Sequence, residues 1–256
     1  MKFRPCIDLH EGSVKQIVGG SLNSDRSETL VVNFTSRQSP GWYAEKYRRD
    51  GLQGGHVIRL GPGNDEAAAE ALASWPQGLH IGGGITAQNA RLWLDRGAEK
   101  VIVTSYIFKD GQIHEERLRG LSALIGRDRL VLDLSCRKRR DQYWVVTDRW
   151  QKFTSVEISM VRLDFFSTFC SEFLIHAVDV EGKSLGIEAN LVRQLGEWGK
   201  IPITYAGGVH NWDDIHTIDR MGKGAIDFTV GSALDIFGGD GLKYDDLVQT
   251  LKNPAT

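Results

Sequence analysis

Ile81-Gly82-Gly83-Gly84-Ile85-Thr86-Ala87-Gln88-Asn89 is echoed by Tyr205-Ala206-Gly207-Gly208-Val209-His210-Asn211-Trp212-Asp213, and Gly83 stands 124 residues before Gly207. Each copy is an apolar run broken by glycines and followed by residues suited to open a helix. Both close alike, the first on Val103-Thr104-Ser105-Tyr106-Ile107-Phe108 and the second on Val230-Gly231-Ser232-Ala233-Leu234-Asp235-Ile236-Phe237, with Ser105 and Ser232 separated by 127 residues. A third pair shares the offset: Asp8 in Cys6-Ile7-Asp8-Leu9 and Asp133 in Val131-Leu132-Asp133-Leu134 lie 125 residues apart. In a chain of 256 residues these spacings amount to half the length, so the sequence is an internal repeat.

Working outward, β-branched and apolar runs mark eight strands: Phe3–Leu9, His56–Leu60, Leu79–Ile81, Lys100–Ser105, Arg129–Leu134, Glu172–Val178, Ile201–Tyr205 and Ala225–Val230. Amphipathic stretches separate them. Ala87–Arg96 places Ala90, Trp93 and Leu94 on one face before Gly97, and Trp212–Met221 does the same with Trp212, Ile215, Ile218 and Met221 before Gly222. Wider gaps follow the first and fifth strands. Strand and helix in alternation imply parallel strands with helical crossovers, and eight such units predict an α/β fold, a (β/α)8 TIM barrel with an internal half-barrel repeat. No composition break divides residues 1–256, which are read as one domain. An open doubly wound sheet would carry Gly-x-Gly-x-x-Gly after its first strand, and none is there.

In such a barrel the half-chain offset carries strand 1 onto strand 5, so Asp8 and Asp133 face each other across the C-terminal mouth, where this architecture keeps its chemistry. The glycine turns at the same rim suit phosphate, because glycine allows positive φ and close approach of a ligand, and a helix N-terminus beyond it offers N–H groups and partial positive charge. Two phosphate sites are expected, at Gly83 and Gly84 with Thr104 and Ser105, and at Gly207 and Gly208 with Gly231 and Ser232. Glycine turns also serve tight packing, and strand-terminal aspartates also cap helices. The shared offset argues for function.

The composition is that of a soluble globular protein: 41% hydrophobic, 25% charged, net charge −2. No overall attraction to nucleic acid or an anionic membrane follows. The start, Met1 to Cys6, has neither the apolar core of a signal peptide nor the look of a transit peptide, and Phe165–Ile175 is too short to span a bilayer, so a cytoplasmic enzyme is expected. Cys6, Cys136 and Cys170 form no metal-binding spacing, and no metal or organic cofactor is expected.

Asp8 in Ile-Asp-Leu, Gly-Gly-Gly-Ile with Gly97-Ala98 and Val-Ile-Val-Thr-Ser, Leu132-Asp133, Arg149-Trp150-Gln151, and Gly-Gly-Val with Val-Gly-Ser-Ala resemble, in order and spacing from about residue 1 to 250, the phosphoribosylformimino-5-aminoimidazole carboxamide ribotide isomerases of histidine biosynthesis, the eukaryotic branch most. The resemblance implies an Amadori rearrangement, aldose to ketose, on a bis-phosphorylated small molecule with no obligatory protein partner. It implies Asp8 as general base at C2′, Asp133 as general acid at the ring oxygen, and Trp150 as a stacking surface for the imidazole carboxamide. Against the commoner bacterial pattern, Thr86 replaces an arginine, Arg59 replaces an aspartate, and a Thr and Asp-Gly after strand 6 become His176 and Glu181-Gly182, with Asp179 as an alternative acid. The alternatives are the cyclase subunit of imidazole glycerol phosphate synthase, which needs a glutaminase, and a non-catalytic phosphosugar-binding barrel. Activity on phosphoribosylanthranilate is a further option among relatives.

Among weaker signals, His56 and His176 near strand ends are candidates for touching substrate, whereas His80, His114 and His216 read as structural. Arg137-Lys138-Arg139-Arg140 reads as a solvated loop that draws anions to the mouth. Cys136 reads as an inert buried thiol, and Phe165–Phe173 as a helix packed on the barrel.

Overall fold

The computed structural model describes residues 1–17, 32–148, 150–183 and 186–252. Eight parallel strands follow one another around the sheet: β1 Cys6–His10, β2 Gly55–Arg59, β3 Leu79–Gly82, β4 Lys100–Val103, β5 Leu130–Asp133, β6 Glu172–His176, β7 Ile203–Ala206 and β8 Ile226–Phe228. The seam between last and first is closed by the segment before β1: Arg4 N–H donates to Phe228 O at 2.8 Å and Phe228 N–H to Lys2 O at 3.0 Å. The expected barrel is therefore present, with strand bounds moved by a few residues.

Among the described residues eight α-helices clothe it: α1 Pro40–Asp50, α2 Asp65–Ser74, α3 Ala90–Asp95, α4 Glu115–Ile125, α5 Met160–Ser167, α6 Ala189–Trp198, α7 Trp212–Met221 and α8 Tyr244–Lys252. Local chemistry fixes their ends. Proline opens α1 behind the Ser39 cap and Gly51 closes it with φ +73°. Ser159 caps α5, so this helix begins before Phe165 and ends at Ser167; Phe173 belongs to β6, which corrects the reading of Phe165–Phe173 as one helix.

The wide gaps are filled by antiparallel excursions in equivalent places. After β1, Ser13–Ile17 folds back on β1 and pairs with Val32–Thr35. After β5, Cys136–Arg139, Gln142–Thr147 and Lys152–Glu157 form a three-stranded sheet. The basic run is thus a strand edge rather than a loop, because Cys136 to Arg139 alternates against Gln142 to Val145 in register.

Period-two alternation writes layers into the lumen. Ile58, Ile102, Val131, Leu174 and Ala206 form an apolar cluster separate from the large core under the helices. Two residues earlier on the same strands come Lys100, Glu172 and Thr204, with Lys100 Nζ 3.1 Å from Glu172 Oε2, a charged floor. Two residues later come Thr104, Asp133 and His176. One plug separates floor from mouth.

Candidate active site

Asp8 ends up at the mouth because β1 places Cys6 beside His56 and Asp8 beside Ile58, one pleat higher. Gln16, on the excursion that folds back over β1, donates from Nε2 to Asp8 Oδ2 at 3.3 Å. Burial, then the carboxylate of Glu181, push the Asp8 carboxyl up to about 7, although His176 and Gln16 oppose them. Asp133 occupies the matching place on β5. Ser135 Oγ donates to its Oδ1 at 2.8 Å and Thr104 Oγ1 lies 3.5 Å from its Oδ2. Burial raises Asp133 too, with His176 and the Ser135 and Thr104 bonds pulling the other way.

His176, the last residue of β6, completes the group. Its Nε2 stands 2.9 Å from Glu181 Oε2, a charge contact rather than an aligned hydrogen bond. Burial alone would lower this imidazole, but Glu181, Asp133 and Asp8 outweigh it and raise the group above its usual range. The Trp150 ring lies 4.9 Å from the His176 ring at 57°. Trp150 sits between two antiparallel strands with φ +68°, a left-handed conformation that costs about 1–3 kcal/mol and recurs where function needs a fixed pose. Arg149 lies outside the described residues. Glu181, not Asp179, turns to the histidine; Asp179 is taken by Arg137 Nε and the Lys138 N–H, both at 2.8 Å, and so ties the excursion to the turn after β6.

The two glycine turns lie at the same rim. Gly83 and Gly84 follow β3 with φ of +88° and +64°, and Gly207 and Gly208 follow β7 with +118° and +75°. The two helix starts beyond them differ: α7 opens with a side-chain cap of its own, whereas α3 has none. In α7 Asn211 Oδ1 accepts from Asp214 N–H at 3.0 Å, while Asp214 Oδ2 accepts from the N–H of His210 and Asn211, a capping box that also puts a carboxylate there. Before α3, Asn89 Oδ1 accepts from Thr86 N–H at 2.9 Å. Gly231 packs on Gln16, whose Oε1 would lie 2.5 Å from an added Cβ, and Ser232 is half-buried beside it. Ser105 is exposed at the rim.

His56 lies deeper than the aspartates. It is the second residue of β2, a layer beneath Asp8, buried and lowered to about 3 by desolvation, then by His176, His80 and Arg4. His80 sits 3.4 Å from Glu99 and His114 accepts from Arg117 N–H at the start of α4, both structural. Burial raises the Cys136 thiol, as expected of an inert one. Gln16 and Ser135 escaped the sequence reading; a buried amide one strand away and a serine two residues past Asp133 were the available signals. Arg59 also differs from expectation: its guanidinium stacks 4.3 Å over Trp93, pairs with Asp65 at 2.6 Å and donates to Gly83 O, so it braces the first glycine turn.

With this geometry in place, comparison with known proteins is specific. The family model described as "Histidine biosynthesis protein" matches residues 2–239. The chain belongs to that family. Among its relatives, a Neurospora crassa protein is 51% identical over 251 residues, covering 97% of each chain. A Yarrowia lipolytica protein is 50% identical over 257 residues, again 97% of each, and a Saccharomyces cerevisiae protein is 47% identical over 251 residues, 96% of each. All three are named 1-(5-phosphoribosyl)-5-((5-phosphoribosylamino)methylideneamino) imidazole-4-carboxamide isomerase. A similar plant protein, from Medicago truncatula, is named as chloroplastic. Among the described residues no helix of this family member is long and apolar enough to cross a membrane.

Proposed function

We propose that this chain is the isomerase its relatives are named for, converting the aminoaldose end of a bis-phosphorylated imidazole carboxamide ribotide to the aminoketose. The observation that carries this is the placement of Asp8 and Asp133 at equivalent heights on β1 and β5, half a barrel apart, in a chain about half identical to such isomerases over nearly its full length.

Asp133 gives a proton to the ribose ring oxygen as the C1′–O bond breaks and the exocyclic nitrogen lone pair forms C1′=N. Asp8 then takes the proton from C2′, leaving a C1′=C2′ enaminol, and reprotonation at C1′ with loss of the hydroxyl proton yields the ketone at C2′. A carboxyl near 7 suits a general base at neutral pH, and such help contributes about 10²–10⁴ in rate. The half-buried Trp150 ring offers its face to the flat imidazole carboxamide. The phosphates are held by the amides of the turns themselves, Gly83–Gly84 and Gly207–Gly208, with Gly231, Ser232 and the rim residues Thr104 and Ser105 around them.

The experiment is an ultraviolet assay on purified ribotide without any glutaminase, for the parent and for Asp8→Asn and Asp133→Asn. Isomerisation with no cyclised product is expected for the parent, and a loss of turnover of at least about 10²-fold for each variant while a bis-phosphate product still binds. Cyclisation on added ammonia would assign the chain to the cyclase instead. Near-normal turnover in both variants would remove the acid–base assignment.

A further inference from the structure

Three carboxyl groups and one imidazole meet at the mouth: Asp8 from β1, Asp133 from β5, Glu181 from the turn after β6 and His176 from the end of β6. Among the described residues, desolvation lowers His56 from β2 to about 3, and burial raises the thiols of Cys6 and Cys136. Trp150, from the excursion after β5, covers the imidazole with an uncharged ring. Burial pushes both carboxyls toward the protonated form, and an enzyme with two protonated acids has no base. The imidazole stands on the strand next to β5, two residues past Leu174, which pairs with Asp133, and its charge opposes the effect of burial on both acids. Glu181 lies 2.9 Å from its Nε2, with only 19% of the His176 side chain and 23% of the Glu181 side chain exposed, so the pair is held within the mouth rather than in solvent.

We propose that His176, braced by Glu181 and roofed by Trp150, is a positioning residue that sets how the proton is shared between Asp8 and Asp133. It rests on the acid–base assignment above. Charged, the imidazolium favours the ionised form of one aspartate while the other keeps the proton that opens the ring; the substrate's own negative charge, which pushes both acids upward, makes that cation more necessary.

Two measurements test it on the full-length protein. In an NMR titration of labelled histidine rings, with His176 assigned by its absence in His176→Asn, the His176 midpoint is expected above about 6.5, and lower in Glu181→Gln than in the parent. In pH–rate profiles, His176→Asn is expected to move the acidic limb upward by about one unit, so that kcat near pH 6 falls about tenfold and recovers near pH 9, with KM little changed. A structural role would lower kcat by the same factor at every pH. That outcome, or a His176 midpoint at or below 6.5 that ignores Glu181→Gln, overturns the proposal. If His176→Asn does not fold, His176→Gln supplies both the assignment and the pH–rate profile. Should Asp8→Asn and Asp133→Asn remain active, the underlying assignment fails; should they be inactive while the histidine tests come out negative, this proposal alone fails.

Discussion

Adjacent glycines in the first turn should respond very differently to one methyl group. A Cβ on Gly83 would lie 2.1 Å from Arg59 O and 2.8 Å from Arg59 C and N, all backbone atoms of β2. That strand is hydrogen-bonded to β1 on one side and β3 on the other, so it cannot step aside as a side chain would. Steric overlap costs about 1–3 kcal/mol, and a φ of +88° adds about 1–3 kcal/mol of backbone strain, for a total of about 2–6 kcal/mol. On Gly84 the nearest atom is the mobile end of Arg59 at 3.9 Å and φ is +64°, inside the left-handed basin, so Gly84→Ala should cost about 1 kcal/mol. At roughly 2–4 °C per kcal/mol for a domain of this size, thermal melting followed by circular dichroism should show a drop of about 10 °C for Gly83→Ala and about 2–4 °C for Gly84→Ala. Because Arg59 also grips Gly83 O, the first substitution should displace the phosphate turn, raising KM about tenfold or more with less effect on kcat. Equal melting shifts and equal KM for the two variants would refute the clash geometry and the role given to this turn.

The raised carboxyl of Asp8 makes a claim about stability as well as rate. Its folded-state value near 7 exceeds the ordinary 3.8, so the folded protein holds a proton the unfolded chain has lost between those values, and stability contributed by Asp8 declines as pH rises through that window. Asp8→Asn should therefore melt higher than the parent at pH 8, by an amount of at most about 4 kcal/mol, and the two should converge near pH 4; a lower melting point at pH 8 would contradict the burial assigned to this group. Lys100→Met strands Glu172 under the apolar plug and should destabilise by about 3–5 kcal/mol in urea unfolding, yet leave kcat within about twofold, with Lys100→Met/Glu172→Leu regaining most of the loss. Trp150→Ala should raise KM about five- to tenfold and Trp150→Phe much less, since an aromatic face contributes about 1 kcal/mol beyond area.

The barrel was legible because its evidence is periodic. Apolar runs such as Val101 to Val103 and Leu130 to Leu132 repeat on a scale that survives without knowing what touches what, and the half-chain offset tied Asp8 to Asp133 before any coordinates. What stayed hidden depends on contacts between distant residues. Nothing local marks Gln16 as the partner of Asp8, since the hairpin that returns it is set by the pairing of Leu9 with Val14. Arg137 looked like one charge in a basic run, but its role follows from Asp179, 42 residues on. His56 was misplaced by one layer, a displacement that strand bounds uncertain by a residue or two produce directly, because two residues along a strand are one storey of the lumen. The capped start of α7 was readable from Asn211 with Asp214 three residues later.

Twin scaffolding with dissimilar furnishing has a practical corollary. Both halves of the barrel carry an antiparallel excursion after the strand that bears an aspartate, but the first brings an amide to Asp8, whereas Asp133 takes hydroxyls from Ser135, just past its own strand, and from Thr104 at the end of β4. Ancestry, or symmetry, can hand a protein two interchangeable acids; only their companions make them unlike. An engineer wishing to trade the duties of donor and acceptor need leave both aspartates untouched and exchange what leans on them.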